Sequence, residues 1–246
     1  VTRFDLGRAR TGAVRGAVVS FAGALLLAAC SHAPHSRHDS ADADAKLQTV
    51  LEEWDLAHSR GLNSGGVRED QAVVVDNDQA RLHLEQLALE SPRHVPTLLM
   101  CAQTAFDAGE NEKAGAYCDR VLDLQPDNNF AGVLKAQTSL ADGNVQMARE
   151  VLKGQLLRSP DSSFLHEVLA GVEYYGGELD AADRELGTAE RLGSDGWRIA
   201  YHRGLIAEKR GNTEDARKHY ERAGQLRPNY GAAKDRLNGL PPQGSH

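Results

Sequence analysis

The chain has 246 residues, 41% hydrophobic and 26% charged, which is enough apolar material for a buried core and excludes a wholly disordered chain. Its net charge is −7, and because residues 1–29 carry four arginines against one aspartate, a net of +3, the remainder carries −10. A body that acidic repels phosphate, which counts against a surface for nucleic acid or anionic membrane.

Arg3, Arg8, Arg10 and Arg15 precede an apolar run from Gly16 to Ala29. Together they read as the basic and apolar regions of an export signal, and the run is too short to cross a bilayer comfortably as a mature helix. It ends in Leu27-Ala28-Ala29-Cys30, which resembles the bacterial lipobox. That resemblance implies a signal peptide over 1–29 and a diacylglyceryl group on Cys30, so the mature protein is expected to be tethered to a membrane without spanning it. An ordinary cleaved signal with a chance cysteine is the alternative. Ser31 stands where an aspartate would resemble the inner-membrane retention signal of Gram-negative lipoproteins, which favours the outer membrane, facing the periplasm.

Residues 30–44 then read as the lipidated cysteine and a flexible, polar tether. His32, His35 and His38 recur at every third position within it, which makes a metal carrier or an enzyme built on this tract conceivable. Without a fixed geometry or a fourth ligand, soluble linker is the simpler reading, and no metal is expected.

Leu47, Val50, Leu51 and Trp54 lie at helical spacing, which predicts a first helix over about 44–60. The Gly-rich stretch at 61–66 would break it, so a loop is expected over 61–70 and a second helix over about 71–91. These form a degenerate N-terminal hairpin over 45–94.

From here an offset of 34 residues aligns four columns: Gly109, Gly143, Gly177 and Gly211; Ala114, Ala148, Ala182 and Ala216; Pro126, Pro160 and Pro228, with Ser194 in the third copy; and Asp127, Asp161, Asp195 and Asn229. Ala80 and Pro92 extend two of these columns upstream. Each column has a mechanical sense in a helix-turn-helix unit. Glycine closes the first helix in the left-handed region, alanine lets the second helix approach the first, proline stops the second helix, and Asp or Asn caps the next. Ala102, Ala136, Ala170 and Gly204 are the facing small residues on the first helices.

These columns resemble the tetratricopeptide repeat (TPR), as four units over 95–128, 129–162, 163–196 and 197–230. The resemblance implies an all-α fold, an α-solenoid of TPR helix-turn-helix repeats with a capping helix and tail over 231–246. The sequence departs from the family at Gln155, where a small residue is usual. Pentatricopeptide RNA readers have a different period and basic faces, which do not fit this acidic chain.

In that family, positions 2, 5, 9, 12 and 13 of each unit line a concave face. Here the resemblance puts Leu99, Phe106, Phe130, Val133, Phe164, Tyr174, Tyr175, Tyr201 and Leu205 on it, an apolar groove for a protein partner. Rings that pack between helices, or that receive the chain's own N-terminal helix, are the alternative. The basic, asparagine-bearing clamp that chaperone-binding members use for a C-terminal carboxylate is missing at Leu99 and Gln103.

Catalytic templates fail: there is no GxGxxG, Walker loop or CxxC, and the HExxH pattern begun by His166-Glu167 has Ala170 where its second histidine belongs. No enzyme activity and no cofactor are expected. Cys101 and Cys118 fall on the two helices of the first unit, where two packed thiols are favoured over a disulfide. The plan resembles that of pilotin-type lipoproteins that help type IV and tight-adherence pilus secretins assemble, which implies a scaffold binding a secretin subunit. An adaptor for peptidoglycan enzymes or for outer-membrane protein insertion shares that plan.

Overall fold

The computed structural model describes residues 37–61 and 69–241, and every regular element among them is an α-helix. In chain order these are α1 (Arg37–Gly61), α2 (Glu69–Glu90), α3 (Val95–Asp107), α4 (Asn111–Leu124), α5 (Asn129–Ala141), α6 (Val145–Leu156), α7 (Ser163–Gly176), α8 (Leu179–Arg191), α9 (Gly196–Lys209), α10 (Thr213–Leu226) and α11 (Gly231–Gly239). Two compact units hold them, α1–α4 ending at Gln125 and α5–α11 beginning at Pro126. Cys30, His32 and His35 lie outside the described residues, as does most of the expected 61–70 loop.

The glycine column turns the chain as its spacing requires. Gly109, Gly143, Gly177 and Gly211 each follow a first helix at φ between 77° and 84°, a region where a Cβ would be strained. The proline column stops the second helices: α4 and α10 end two residues before Pro126 and Pro228. Asp195 stands at the N-cap of α9 as expected, though without a side-chain cap bond, while in the other units the cap sits one residue later than the Asp/Asn column. Asn128 and Ser162, not Asp127 and Asp161, accept the backbone N–H bonds at the starts of α5 and α7, because the aspartates are spent in the turn after each proline.

In the first unit the chain becomes helical earlier than its composition implies. α1 starts at Arg37, inside the stretch read as tether, and Ala43 is already buried. Distant groups hold this polar turn in place. The Asp44 carboxylate lies 3.0 Å from His94 Nε2, and Lys46 Nζ bridges Asp42 and Glu90 at 3.1 Å each. α2 then packs on α1 and α3, and α3 pairs with α4.

In the second unit consecutive helices pack in antiparallel pairs, and the first helices of neighbouring hairpins also meet, α5 on α7 and α7 on α9. The buried seam runs through Val133, Leu152, Leu165 and Leu169, then Leu186, Ile199 and Ile206. Gln155, the family departure, is accommodated by Gly132: a Cβ there would lie 2.4 Å from Gln155 Cγ. A large residue on the second helix is matched by a missing side chain on the first. The same exchange recurs at the end of the stack, where Gly204 leaves room for the Tyr220 ring.

Candidate functional site

The nine residues expected to line one groove have different fates. Leu99 is buried and Phe106 half-buried, both on α3 of the first unit. In the second unit Val133 joins the core with Leu165 and Leu169. Tyr201 and Leu205 are also core. Tyr201 packs edge-on to Tyr230 with ring centroids 5.1 Å apart and against Tyr220 at 5.8 Å, and α11 closes over the cluster through Ala233 and Leu237. Within the second unit, helix α11 covers that end.

Of the expected groove residues in the second unit, four aromatic rings stay at least partly accessible. Phe130 is 40% and Phe164 37% exposed, at the same repeat position on the adjoining helices α5 and α7. Tyr174 and Tyr175 are half-buried at the other end of α7, edge to face with centroids 5.8 Å apart. Lys209 Nζ sits 4.4 Å above the Tyr174 ring and donates to the Tyr174 carbonyl at 2.6 Å, which fixes that ring from α9. Aromatic groups held by neighbours offer contact area at low entropic cost.

Residue-by-residue reading of the sequence passed over a charged element beside this surface. Glu167, on α7, is 1% exposed, yet polar partners meet both of its oxygens. Its Oε1 accepts from Arg198 Nε at 2.7 Å and lies 3.5 Å from His202 Nε2, and its Oε2 accepts from Ser194 Oγ at 3.2 Å. Burial pushes the carboxyl pKa up, but the His202 hydrogen bond, the Arg198 and His202 charges and the Arg198 hydrogen bond outweigh it and hold the group below the usual carboxylate range. The available signal was a glutamate in a column otherwise filled by Leu99, Val133 and Tyr201.

Cys101 and Cys118 are buried thiols with no disulfide between them. Burial, with a smaller push from Glu85, raises the Cys101 pKa to about 12, which leaves it inert near neutrality. Among the described residues no group of three or more His, Cys, Asp and Glu side chains is placed to hold a metal ion. No described helix is long and apolar enough to cross a membrane.

Residues 197–230 match the family model for the tetratricopeptide repeat, and those are the bounds of the fourth sequence unit. The fold is of the tetratricopeptide-repeat type. A thermophilic TPR protein of Thermus thermophilus is similar over 80% of this chain and 97% of its own, at 18% identity and a TM-score of 0.61. A MamA structure from Desulfovibrio magneticus RS-1 is similar over 75% and 97%, at 17% identity and a TM-score of 0.54. YrrB, a TPR protein with an unusual peptide-binding site, is similar over 67% and 85%, at 12% identity and a TM-score of 0.51. No curated protein matches the chain significantly. TPR hairpins of this kind generally serve as non-enzymatic scaffolds for contacts between proteins.

Proposed function

We propose that the protein is a non-enzymatic docking scaffold that grips an apolar segment of a partner on the row begun by Phe130 and Phe164, with Tyr174 and Tyr175 at the far end of α7. The observation that carries this is the exposure of two large apolar rings at one repeat position of consecutive hairpins. An isolated exposed ring is ordinary, whereas two in register make a periodic surface that a single polypeptide can span. A solved neighbour of this fold is described as peptide-binding, which agrees with that use.

Cys30 tethers the scaffold to the outer membrane on its periplasmic face, and the client is a subunit of a type IV or tight-adherence pilus secretin. Support for the tether is the order of basic region, apolar run and Leu27-Ala28-Ala29-Cys30. Support for the client is the resemblance of domain plan.

The test is co-purification of the secretin subunit from detergent-solubilised envelopes with the full chain and with its Phe130→Ala/Phe164→Ala variant. Because both rings are exposed, the variant keeps its helicity and melting temperature but loses the client. Retention of the client by the folded double variant refutes the groove. A Cys30→Ser variant shifts from the membrane to the soluble fraction, and its retention in the membrane refutes the anchor.

A further inference from the structure

The repeat position that exposes Phe130 and Phe164 is occupied on α9 by Arg198, so three neighbouring helices present ring, ring and guanidinium in one row. Resting on the docking surface proposed above, we infer that Arg198 reads a side-chain carboxylate on the bound segment, so that the partner carries an Asp or Glu beyond two apolar anchors.

The geometry of the buried pair is the argument. Glu167 has both oxygens engaged, and it takes Arg198 end-on through Nε alone. The two terminal nitrogens of Arg198 make no hydrogen bond within the described residues, and its side chain is 23% exposed. A guanidinium fork matches a carboxylate with two parallel N–H donors, and this one is already immobilised, so little side-chain entropy remains to be lost on binding. Ser194 and His202 hold Glu167 from the other side, which makes them positioning residues for the fork.

First helices in such stacks lie about 8–10 Å apart. Side chains recurring every seventh residue of a helix, about 10.5 Å, or every third of an extended polyproline-type segment, about 9.3 Å, meet that spacing. In both cases the order is apolar, apolar, acidic.

The test selects random 16-residue displayed peptides on the full chain in detergent, then measures the leading sequences as synthetic peptides amidated at the C-terminus, so that only side-chain carboxylates are offered. Selected peptides are expected to carry Asp or Glu at a fixed separation from two apolar residues, and replacing that acid by its amide weakens binding about tenfold. Arg198→Gln alone strands a buried carboxylate, so the informative variants are Arg198→Lys, which keeps the charge but not the fork, and Arg198→Gln/Glu167→Gln, which removes both charges together. With the double variant, folding checked by circular dichroism, the acid and amide peptides bind alike, and with Arg198→Lys the preference for the acid shrinks because the paired donors are lost. If acid and amide peptides bind the natural chain equally while Phe130→Ala/Phe164→Ala abolishes binding, Arg198 has no such role and the apolar surface stands. If no peptide depends on those rings, both readings fall.

Discussion

Replacing Gly204 by alanine tests whether the helix pair at the end of the stack is set by a close approach or merely by helix preference. A Cβ at this position would lie 2.5 Å from Tyr220 Cε1, 2.6 Å from Cδ1 and 3.0 Å from Cζ. Carbon atoms in contact ordinarily sit about 3.5–4.0 Å apart, so the ring must withdraw by about 1 Å. It has little room to do so. Tyr220 is 1% exposed, its hydroxyl donates to Glu208 Oε2 at 2.6 Å, and Tyr201 backs its ring. Overpacking of this kind costs about 1–3 kcal/mol, and a rigid ring at such a short contact belongs at the upper end. Alanine recovers about 1 kcal/mol of helix preference over glycine. The net expectation is a loss of about 1–2 kcal/mol, or roughly 2–8 °C in Tm for a chain of this size. Two neighbouring hairpins supply the control, since the same two positions hold Ala136 with Leu152 and Ala170 with Leu186, all buried. Tyr220→Leu alone also destabilises, because it vacates the space above Gly204 and removes the bond to Glu208. The Gly204→Ala/Tyr220→Leu double variant then recreates the neighbours' pairing and loses less than the sum of the single effects by about 1 kcal/mol. Urea unfolding followed by far-ultraviolet circular dichroism reads all four proteins. Strict additivity, or a Gly204→Ala protein as stable as the parent, refutes the close-packing argument.

Three further outcomes follow from groups buried with their charges or thiols. Arg149 donates to Glu173 through Nε at 2.9 and 3.1 Å and through a terminal nitrogen at 2.7 Å, so Arg149→Ala strands a buried carboxylate and lowers stability by about 3 kcal/mol, read by calorimetry, with part recovered when Glu173→Gln is added. The depressed pKa of Glu167 contributes stability that is fully present above the usual glutamate range and is lost as pH falls through the lower folded value. Melting temperatures measured from pH 6 to pH 3 therefore fall less steeply for Glu167→Gln than for the parent, and parallel curves contradict the assignment. Cys101, with its pKa raised to about 12 and its side chain shut in, resists maleimide at pH 7 in the native protein and reacts fully in guanidinium, with mass spectrometry after digestion as the readout.

The parts of the fold legible in the sequence are those whose cause is local or repeated. A glycine at positive φ and a small residue under a helix crossing are demands on single positions, and a 34-residue period states each demand four times. The start of α1 was not legible because nothing local specifies it. Its polar turn is held by His94 and Glu90, which lie more than forty residues away in the chain. Glu167 was hidden for a related reason: a lone acid in an apolar column becomes intelligible only when Arg198, 31 residues later, is known to reach it.

The same comparison between equivalent positions separates scaffold from site. At the fifth position of the units stand Leu99, Val133, Glu167 and Tyr201, at 9%, 6%, 1% and 7% exposure, so burial there holds whatever the residue's chemistry. That position belongs to the stack, which is why Val133 and Tyr201 proved to be core despite their apolar or aromatic character. At the second position Phe130 and Phe164 are apolar without being buried, and the equivalent residues of the other two units are Pro96 and Arg198, neither of which carries an aromatic ring. An apolar group that its own fold leaves in water gains stabilisation only when something else covers it, at about 25 cal/mol per Å² removed from solvent. In the proposed scaffold the unused apolar surface at the second position is thus the part of the hairpins that the partner covers.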